Sequence, residues 1–227
     1  MENTGKELEK TAGALGGENT QSAIQKEKAL IAKLEPVIIG AGGFAREVRA
    51  EVSHQYGKVL KMYVDDEYWT EGLFRISEFN PETQSALIAV GNPADKKILL
   101  AKLPQETEFW SYISPRAYVL GLKIGKGSFV CAGTIITTKV IIGNHVHLNL
   151  NTTVGHDAVL GDFVTTAPNV NISGNVTIKD GVYLGTASCV REKLTICEDV
   201  VLGMKAVVTK DITESGTYVG IPAKKIK

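Results

Sequence analysis

The sequence predicts an α/β unit of the βαβ type over residues 36–113, followed by a parallel β-helix of hexapeptide repeats over residues 114–227. Three observations carry this. Counting in sixes from Ile124 to Val208, fourteen of fifteen positions are aliphatic and Thr166 is the exception. Two residues before each stands a small or apolar side chain, from Ser128, Thr134 and Val140 through to Val200 and Ala206. Upstream, the apolar run Val37-Ile38-Ile39 meets Gly40-Ala41-Gly42-Gly43, the order of a buried strand, a glycine turn and a helix start.

A period of six belongs to no helix. Residues two apart on a strand face the same way, so each hexapeptide sends two side chains inward and then turns a corner. Three hexapeptides close one triangular coil, and about five such coils, stacked at about 4.8 Å, stand about 24 Å tall. Each coil buries its face on its neighbours, as in other solenoids.

In chain order, residues 1–35 form an N-terminal extension. Residues 1–20 are polar and Gly-rich and are expected to be mobile. From Gln21 to Glu35 the apolar Ile24, Ile31 and Leu34 recur at helical spacing, and Pro36 is expected to end that helix. After the glycine turn, Val59–Val64 reads as a second strand ending in Asp65-Asp66. Ala86–Val90 reads as a third, ending in Gly91-Asn92-Pro93, with a helix from Ala94 to Leu103. A fourth strand, Phe109–Ile113, leads through Ser114-Pro115 into the coil.

The composition narrows the function. Lys plus Arg and Asp plus Glu number 25 each, so no bulk charge favours nucleic acid or an anionic membrane as partner. Three cysteines, Cys131, Cys189 and Cys197, lack metal-type spacing and argue for a reducing, cytoplasmic setting. No apolar run is long enough to span a membrane, and the N-terminus lacks the apolar core of a signal peptide. A cytoplasmic protein is expected.

The glycine turn lets a ligand approach the backbone, and the helix behind it offers free N–H groups to an anion. Asp65-Asp66 stands near where an acidic residue would grip a ribose. A nicotinamide enzyme is disfavoured, because the unit is only half a dinucleotide fold and a coil follows it. A nucleotide or nucleotide-sugar at the strand ends, or purely structural glycines, remain.

Of four histidines, His54 falls near the end of the first helix. The register places His145 and His156 at corners and His147 on the outer face of a strand, so none is a core histidine. Spacings of two and nine between the three do not suit zinc, and no metal is expected. His156 has a carboxylate beside it, Asp157, which would raise its basicity and fix its tautomer. One coil further on, Gly174 stacks above it, and its bare N–H suits an oxyanion. Spacing alone leaves a solvated corner histidine equally open.

These residues carry a resemblance. The coil resembles the left-handed β-helix acyltransferases, and the whole fold is then a Rossmann-like unit on a left-handed parallel β-helix. More narrowly, the chain resembles bacterial sugar acetyltransferases of the sialic-acid O-acetyltransferase and bacillosamine-pathway N-acetyltransferase type. The matching stretches are 37–48, 63–66, 89–93, 148–163, 174–176 and 220–226. The family implies acetyl-CoA as acyl donor, a nucleotide-sugar acceptor and a homotrimer with active sites between subunits. His156 matches its base, Asp157 the acidic helper, and Gly174 the amide that meets the thioester oxygen. Gly174, Gly185, Thr186, Gly203 and Met204 match the coenzyme A groove, with Lys224 and Lys225 expected to reach its phosphates. Gly40, Gly42, Gly43, Asp65, Asp66, Gly91 and Asn92 match the nucleotide pocket, with Phe44, Asn149 and Thr165 near the sugar.

Two positions depart from the aminosugar N-acetyltransferases, which carry histidine at Phe44 and, in one case, at Thr165. Ser114 likewise precedes Pro115 where a histidine is common. The expected reaction is direct transfer with His156 as base and no cysteine nucleophile. N- versus O-transfer, a free amino acid or sugar acceptor, and a trimeric scaffold with a vestigial site stay open.

Overall fold

The computed structural model describes Gln25 and residues 30–227. The expectation of a mobile segment at 1–20, and most of the helix expected from 21, lie outside those residues. Gln25 and residues 30–33 are helical. Pro36 does not cap that helix, because the chain bends at Leu34 and is already a strand at Glu35.

The first unit is a five-stranded sheet with two helices. Its elements are β1 (Glu35–Ile39), α1 (Gly43–Tyr56), β2 (Met62–Val64), β3 (Phe74–Arg75), β4 (Gln84–Ile88), α2 (Pro93–Lys102) and β5 (Glu108–Phe109). All pairings are parallel, in the order β3-β2-β1-β4-β5. Strands buried on both faces read as continuous apolar runs, as Val37-Ile38-Ile39 does. Ile38 and Leu87 pack towards Ala45, Val48 and Val52 of α1, while Ile39 and Ile88 pack on the other side, where Leu99 and Leu100 lie. Pro36 is tolerated in this central strand because β2 pairs only from Ile38 onward, so no partner stands where its N–H would point.

β3 is an edge strand that the sequence pattern did not reveal. The run expected as one strand, 109–113, divides: Phe109 closes the sheet, while Tyr112–Ile113 pairs with Phe129–Val130 and opens the coil. Trp110 lies between them, fully buried, its indole N–H donating to the Val37 carbonyl at 3.0 Å.

The coil has three parallel faces. The first runs from Tyr112–Ile113 through Phe129–Val130, His147–Leu148, Thr165–Thr166 and Tyr183–Leu184 to Val200–Leu202 and Gly216–Val219; the second runs from Tyr118–Val119 to Val207–Val208; the third runs from Leu122–Ile124 to Thr195–Ile196. Six strands stack on the second face, one coil more than the period alone suggested. The extra coil was hidden because it is one residue short. Tyr112 pairs with Phe129, seventeen positions on, whereas His147 pairs with Thr165, eighteen on.

Both inward positions of the hexapeptide are buried throughout, from Ser128 and Val130 to Ala206 and Val208. The corners share one conformation. Every sixth residue from Gly127 to Lys205 has φ between 53° and 72°, a left-handed turn that Gly, Asn and Asp adopt at least cost. Asn151, Asp157, Asn169, Asn175 and Asp199 occupy such sites. Corner N–H groups bond to the coil below, as from Asn175 to the His156 carbonyl at 2.8 Å, which holds the turn in place.

Candidate active site

Three columns of corner residues run up the coil, and the family-matched residues divide between two of them. His156 and Gly174 stand on the corner between the second and third faces. Leu150, Thr186 and Met204 stand on the corner between the first and second. Consecutive residues of each column are linked by the eighteen-residue register. A single protomer therefore keeps the expected base and Gly174 a full coil face from Gly185, Thr186, Gly203 and Met204, the rest of the expected coenzyme groove.

On the His156 corner, Asp157 takes the left-handed turn with φ 58°, which swings its carboxylate back to the preceding ring. Its Oδ2 lies 2.7 Å from His156 Nδ1. That contact favours a proton on Nδ1 and leaves Nε2 with a free lone pair. Both side chains are open to solvent, 59% and 43% exposed. Above them, a Cβ on Gly174 would stand 2.5 Å from His156 Nε2, so only glycine leaves the ring its position. No acceptor among the described residues takes the Gly174 N–H. Gly155, which sequence reasoning passed over, is required as well: a Cβ there would lie 2.5 Å from the Gly174 nitrogen. Its signal was available in the register, which sets it one coil below Ser173 and so beside the Gly174 backbone.

On the other corner, Thr186 and Met204 are exposed, Met204 at 77%. Gly185 and Gly203 are glycine for a packing reason. Side chains there would strike the Leu202 carbonyl and Val219. In the tail, Lys225 is paired with Glu214 at 3.0 Å and Lys224 is exposed. Asn149 serves its own corner, its Oδ1 accepting from the Leu150 N–H at 2.7 Å.

The residues expected around a nucleotide converge at the carboxyl ends of β2, β1 and β4. Gly40 has φ 120° and lies so close to the Ala89 carbonyl that a Cβ would stand 3.0 Å from it. Gly42 and Gly43 open α1 with no side-chain cap, and Asn92 caps α2 by accepting from the Ala94 N–H at 2.9 Å. Because α1 and α2 lie on opposite faces, β1 and β4 flank the switch point where open α/β sheets take ligands. The two aspartates are partly engaged. Asp65 pairs with Lys102, and Asp66 accepts from the Ser77 hydroxyl at 2.7 Å, which with the Ser77 N–H holds its carboxyl below the usual range.

The other coil histidines point away from the coil interior but are buried nonetheless, under the sheet unit. His147 is 1% exposed, its ring 4.9 Å from Phe44, and neither ring nitrogen makes a hydrogen bond of normal geometry. His145 is sandwiched between Phe109 and Phe163. Beside them Lys96 is fully buried, its Nζ donating to the His145 carbonyl at 2.7 Å. Burial, then the Lys96 charge, pushes His145 down to about 4 and His147 lower than its ordinary value; burial also lowers Lys96. Thr165, one coil above His147, has a buried hydroxyl without a partner. Sequence reasoning missed Lys96 because it sits inside α2 while Ile98 of the same helix is 56% exposed.

No group of three or more potential metal ligands occurs among the described residues, and none of their helices is long and apolar enough to cross a membrane.

A small parallel sheet docked on a hexapeptide coil, with a histidine–aspartate pair beneath a glycine at one corner, defines a class of β-helix acyltransferases. Comparison with known proteins narrows it. The family model for the PglD N-terminal domain matches residues 36–103. WeeI from Acinetobacter baumannii AYE is 30% identical, with a TM-score of 0.74 over 83% of this chain and 98% of its own. The acetyltransferase domain of PglB from Neisseria gonorrhoeae FA1090, in complex with acetyl coenzyme A, is 28% identical, with a TM-score of 0.75 over 84% and 98%. PerB from Caulobacter crescentus, in complex with CoA and GDP-perosamine, is 27% identical, with a TM-score of 0.74 over 83% and 95%. The chain belongs to the PglD-type family of sugar acetyltransferases built on a hexapeptide left-handed β-helix. It spans about a third of the length of the first curated relatives it matches, 31% and 36%.

Proposed function

We propose that this protein transfers an acetyl group from acetyl-CoA to the amino group of a nucleotide-linked amino sugar, as a cytoplasmic homotrimer. The observation that carries the reading is the His156–Asp157 pair under Gly174, set one coil face away from the exposed Thr186–Met204 corner. Around a threefold axis parallel to the coil, the His156 corner of one protomer meets the Thr186 corner of the next. The two half-sites become one site only in that assembly.

His156 Nε2 takes the proton from the amine as its nitrogen closes on the thioester carbon. Asp157 steadies the imidazolium through Nδ1–H. The Gly174 N–H receives the charge that develops on the carbonyl oxygen. His156 then returns the proton to the departing coenzyme A sulfur. No metal and no cysteine nucleophile enter the scheme. The nucleotide lies across Gly40, Gly42, Gly43 and Gly91-Asn92, with its diphosphate facing the uncapped N-terminus of α1. Asp65 and Asp66 lie at the ribose and base, and Phe44, Asn149 and Thr165 near the sugar. Gly185, Thr186, Gly203, Met204, Lys224 and Lys225 take the coenzyme. The ligands that PglB and PerB hold support the pairing of an acyl-CoA with a nucleotide sugar.

An acetyl-transfer screen over UDP-, dTDP- and GDP-linked 3- and 4-amino sugars, each beside its hydroxyl analogue, tests the reading. Turnover of an amino sugar is expected, reduced about 10²- to 10⁴-fold in His156→Ala. Turnover of hydroxyl analogues alone, or an unimpaired His156→Ala protein, would refute it.

A further inference from the structure

Lys96 has no part in the chemistry assigned above, yet it is the only Lys, Arg, Asp or Glu buried among the described residues. It makes no ion pair with any of them, and its one side-chain hydrogen bond runs to the His145 carbonyl at 2.7 Å. A buried amine with a single acceptor adds little net stability, and the best-attested use of such a group is to fix register. Apolar contacts, such as that of Phe44 on the His147 ring, hold two surfaces together without fixing how they slide. A hydrogen bond has one preferred geometry and therefore one register.

Lys96 touches both of the parts whose spacing matters. Its backbone N–H donates to the Asn92 carbonyl at 3.1 Å, so Lys96 and the cap of α2 at the nucleotide pocket belong to one rigid helical turn. Its side chain holds the His145 corner, and His156 follows eleven positions later on the same turn of the coil. A threefold axis parallel to the coil preserves height, so a neighbour's imidazole arrives at the level of the turn that Lys96 grips.

Lys97 supplies a second point of contact. Its Nζ lies 5.9 Å from the centre of the Phe163 ring and pairs with Asp199 at 2.9 Å. His145, Phe163, Gly181 and Asp199 form one corner column at eighteen-residue intervals. Successive lysines of α2 thus grip that column three turns apart, about 14 Å. Gly181 leaves the room this requires, because a Cβ there would stand 2.8 Å from Lys97 Nζ. One lysine sets the height of α2 on the coil, and the two together set its tilt. On α1 the corresponding tie is Glu51, which accepts from Ser114 and Arg116 at the coil's entry. Among these ties of the two helices, only that of Lys96 is sealed from solvent.

We propose that Lys96 is a positioning residue for acetyl transfer. By pinning α2 to the His145 corner, with Lys97 as a brace, it sets the height of the nucleotide pocket relative to the turn that carries the base. The proposal rests on the function assigned above and deepens it. Binding energy from the nucleotide can speed a reaction at the sugar only where the pocket is rigidly tied to the reacting groups. Without the pin the pocket keeps its ligand but presents the amine out of line with His156.

Lys96→Met and Lys97→Met in the full-length protein test this. Methionine keeps the apolar stem at position 96 and removes the donor. Steady-state kinetics use the best amino nucleotide sugar from the screen, beside calorimetric titration with the matching nucleoside diphosphate and urea unfolding. The expected result is a fall in kcat of about tenfold or more in Lys96→Met and about threefold in Lys97→Met. The KM for acetyl-CoA, the affinity for the nucleoside diphosphate and the urea midpoint should stay near wild type. A merely structural role would not lower kcat while leaving those three in place. Values of kcat within twofold of wild type in both variants would overturn the pin while leaving the enzyme's function standing. Loss of nucleoside diphosphate affinity in step with kcat would also overturn it, because Lys96 would then shape the pocket rather than place it. If Lys96→Met fails to fold, Lys97→Met decides, since it removes only a solvent-facing contact. Absence of amino-sugar turnover by the wild-type protein would remove both the pin and the function it serves.

Discussion

Replacing Gly174 by Ala separates the two jobs given to that residue. Alanine keeps the N–H, so the oxyanion donor survives, but its Cβ would lie 2.5 Å from His156 Nε2 and 2.8 and 2.9 Å from the adjoining carbons. Real Cβ atoms do not approach so closely, so the imidazole must move. The ring is 59% exposed and can swing away cheaply, and Gly174 lies outside the left-handed region that would strain alanine. Stability should change by less than about 1 kcal/mol. Catalysis should not escape. A displaced base loses about 10²- to 10³-fold in kcat, roughly 3–4 kcal/mol of barrier. Because the loss acts through His156, adding Gly174→Ala to His156→Ala should cost less than about threefold more. Gly155→Ala is the internal contrast, since its Cβ would meet the Gly174 nitrogen and the Ser173 carbonyl carbon, which cannot swing aside. That variant should lose about 1–3 kcal/mol of stability. Urea unfolding and single-turnover acetyl transfer read the two effects. A Gly174→Ala protein with wild-type turnover would refute the placement of the ring.

Asp157→Asn should fold normally, because asparagine tolerates the left-handed turn, but should lose about 10²-fold in kcat as Nδ1 loses its anionic partner; steady-state assays on matched protein check this. Stability should fall in acid. His145 stays neutral in the folded state down to about pH 4, while the unfolded chain binds a proton below about 6.5, so stability is full above that value and drains as pH drops towards 4. The loss is about 3 kcal/mol for His145 by pH 4, with His147 acting in the same direction, and urea midpoints at pH 7 and pH 4 measure it. Lys96→Met should change stability by under about 1 kcal/mol, since relief of the buried amine offsets the lost bond to the His145 carbonyl, whereas Lys96→Ala should cost about 2–4 kcal/mol.

The coil could be read from the chain because its code is local and repeated. Each inward side chain is fixed by its distance from the last corner, and even Thr166, the one polar residue in the series, obeys. Its hydroxyl accepts from the Asn149 N–H at 2.9 Å and shares a hydrogen bond with Thr152 at 2.8 Å, so the interior stays satisfied. The same counting set Gly174 over His156. It gave no warning that His145 and His147, outward by register, are covered by α2 and Phe44. Docking one unit on another is non-local, and no period records it. Lys96 was hidden for a related reason, because a buried lysine stem on one helix turn looks like a solvated face until a coil is laid against it. The contact of α1 with the entry of the coil was equally invisible, being made across 65 residues in the pairing of Glu51 with Arg116.

Mixed trimers put the division of the site between corners to the sharpest trial. His156→Ala disables one corner, and Thr186→Trp blocks the other. Each variant alone should be inactive. Unfolded together in equal amounts and refolded, they should regain about a quarter of wild-type acetyl transfer, because one neighbour pair in four unites an intact imidazole with an open groove. Recovery near that level is the predicted result, and a mixture as inactive as its two parents would contradict a site shared between protomers.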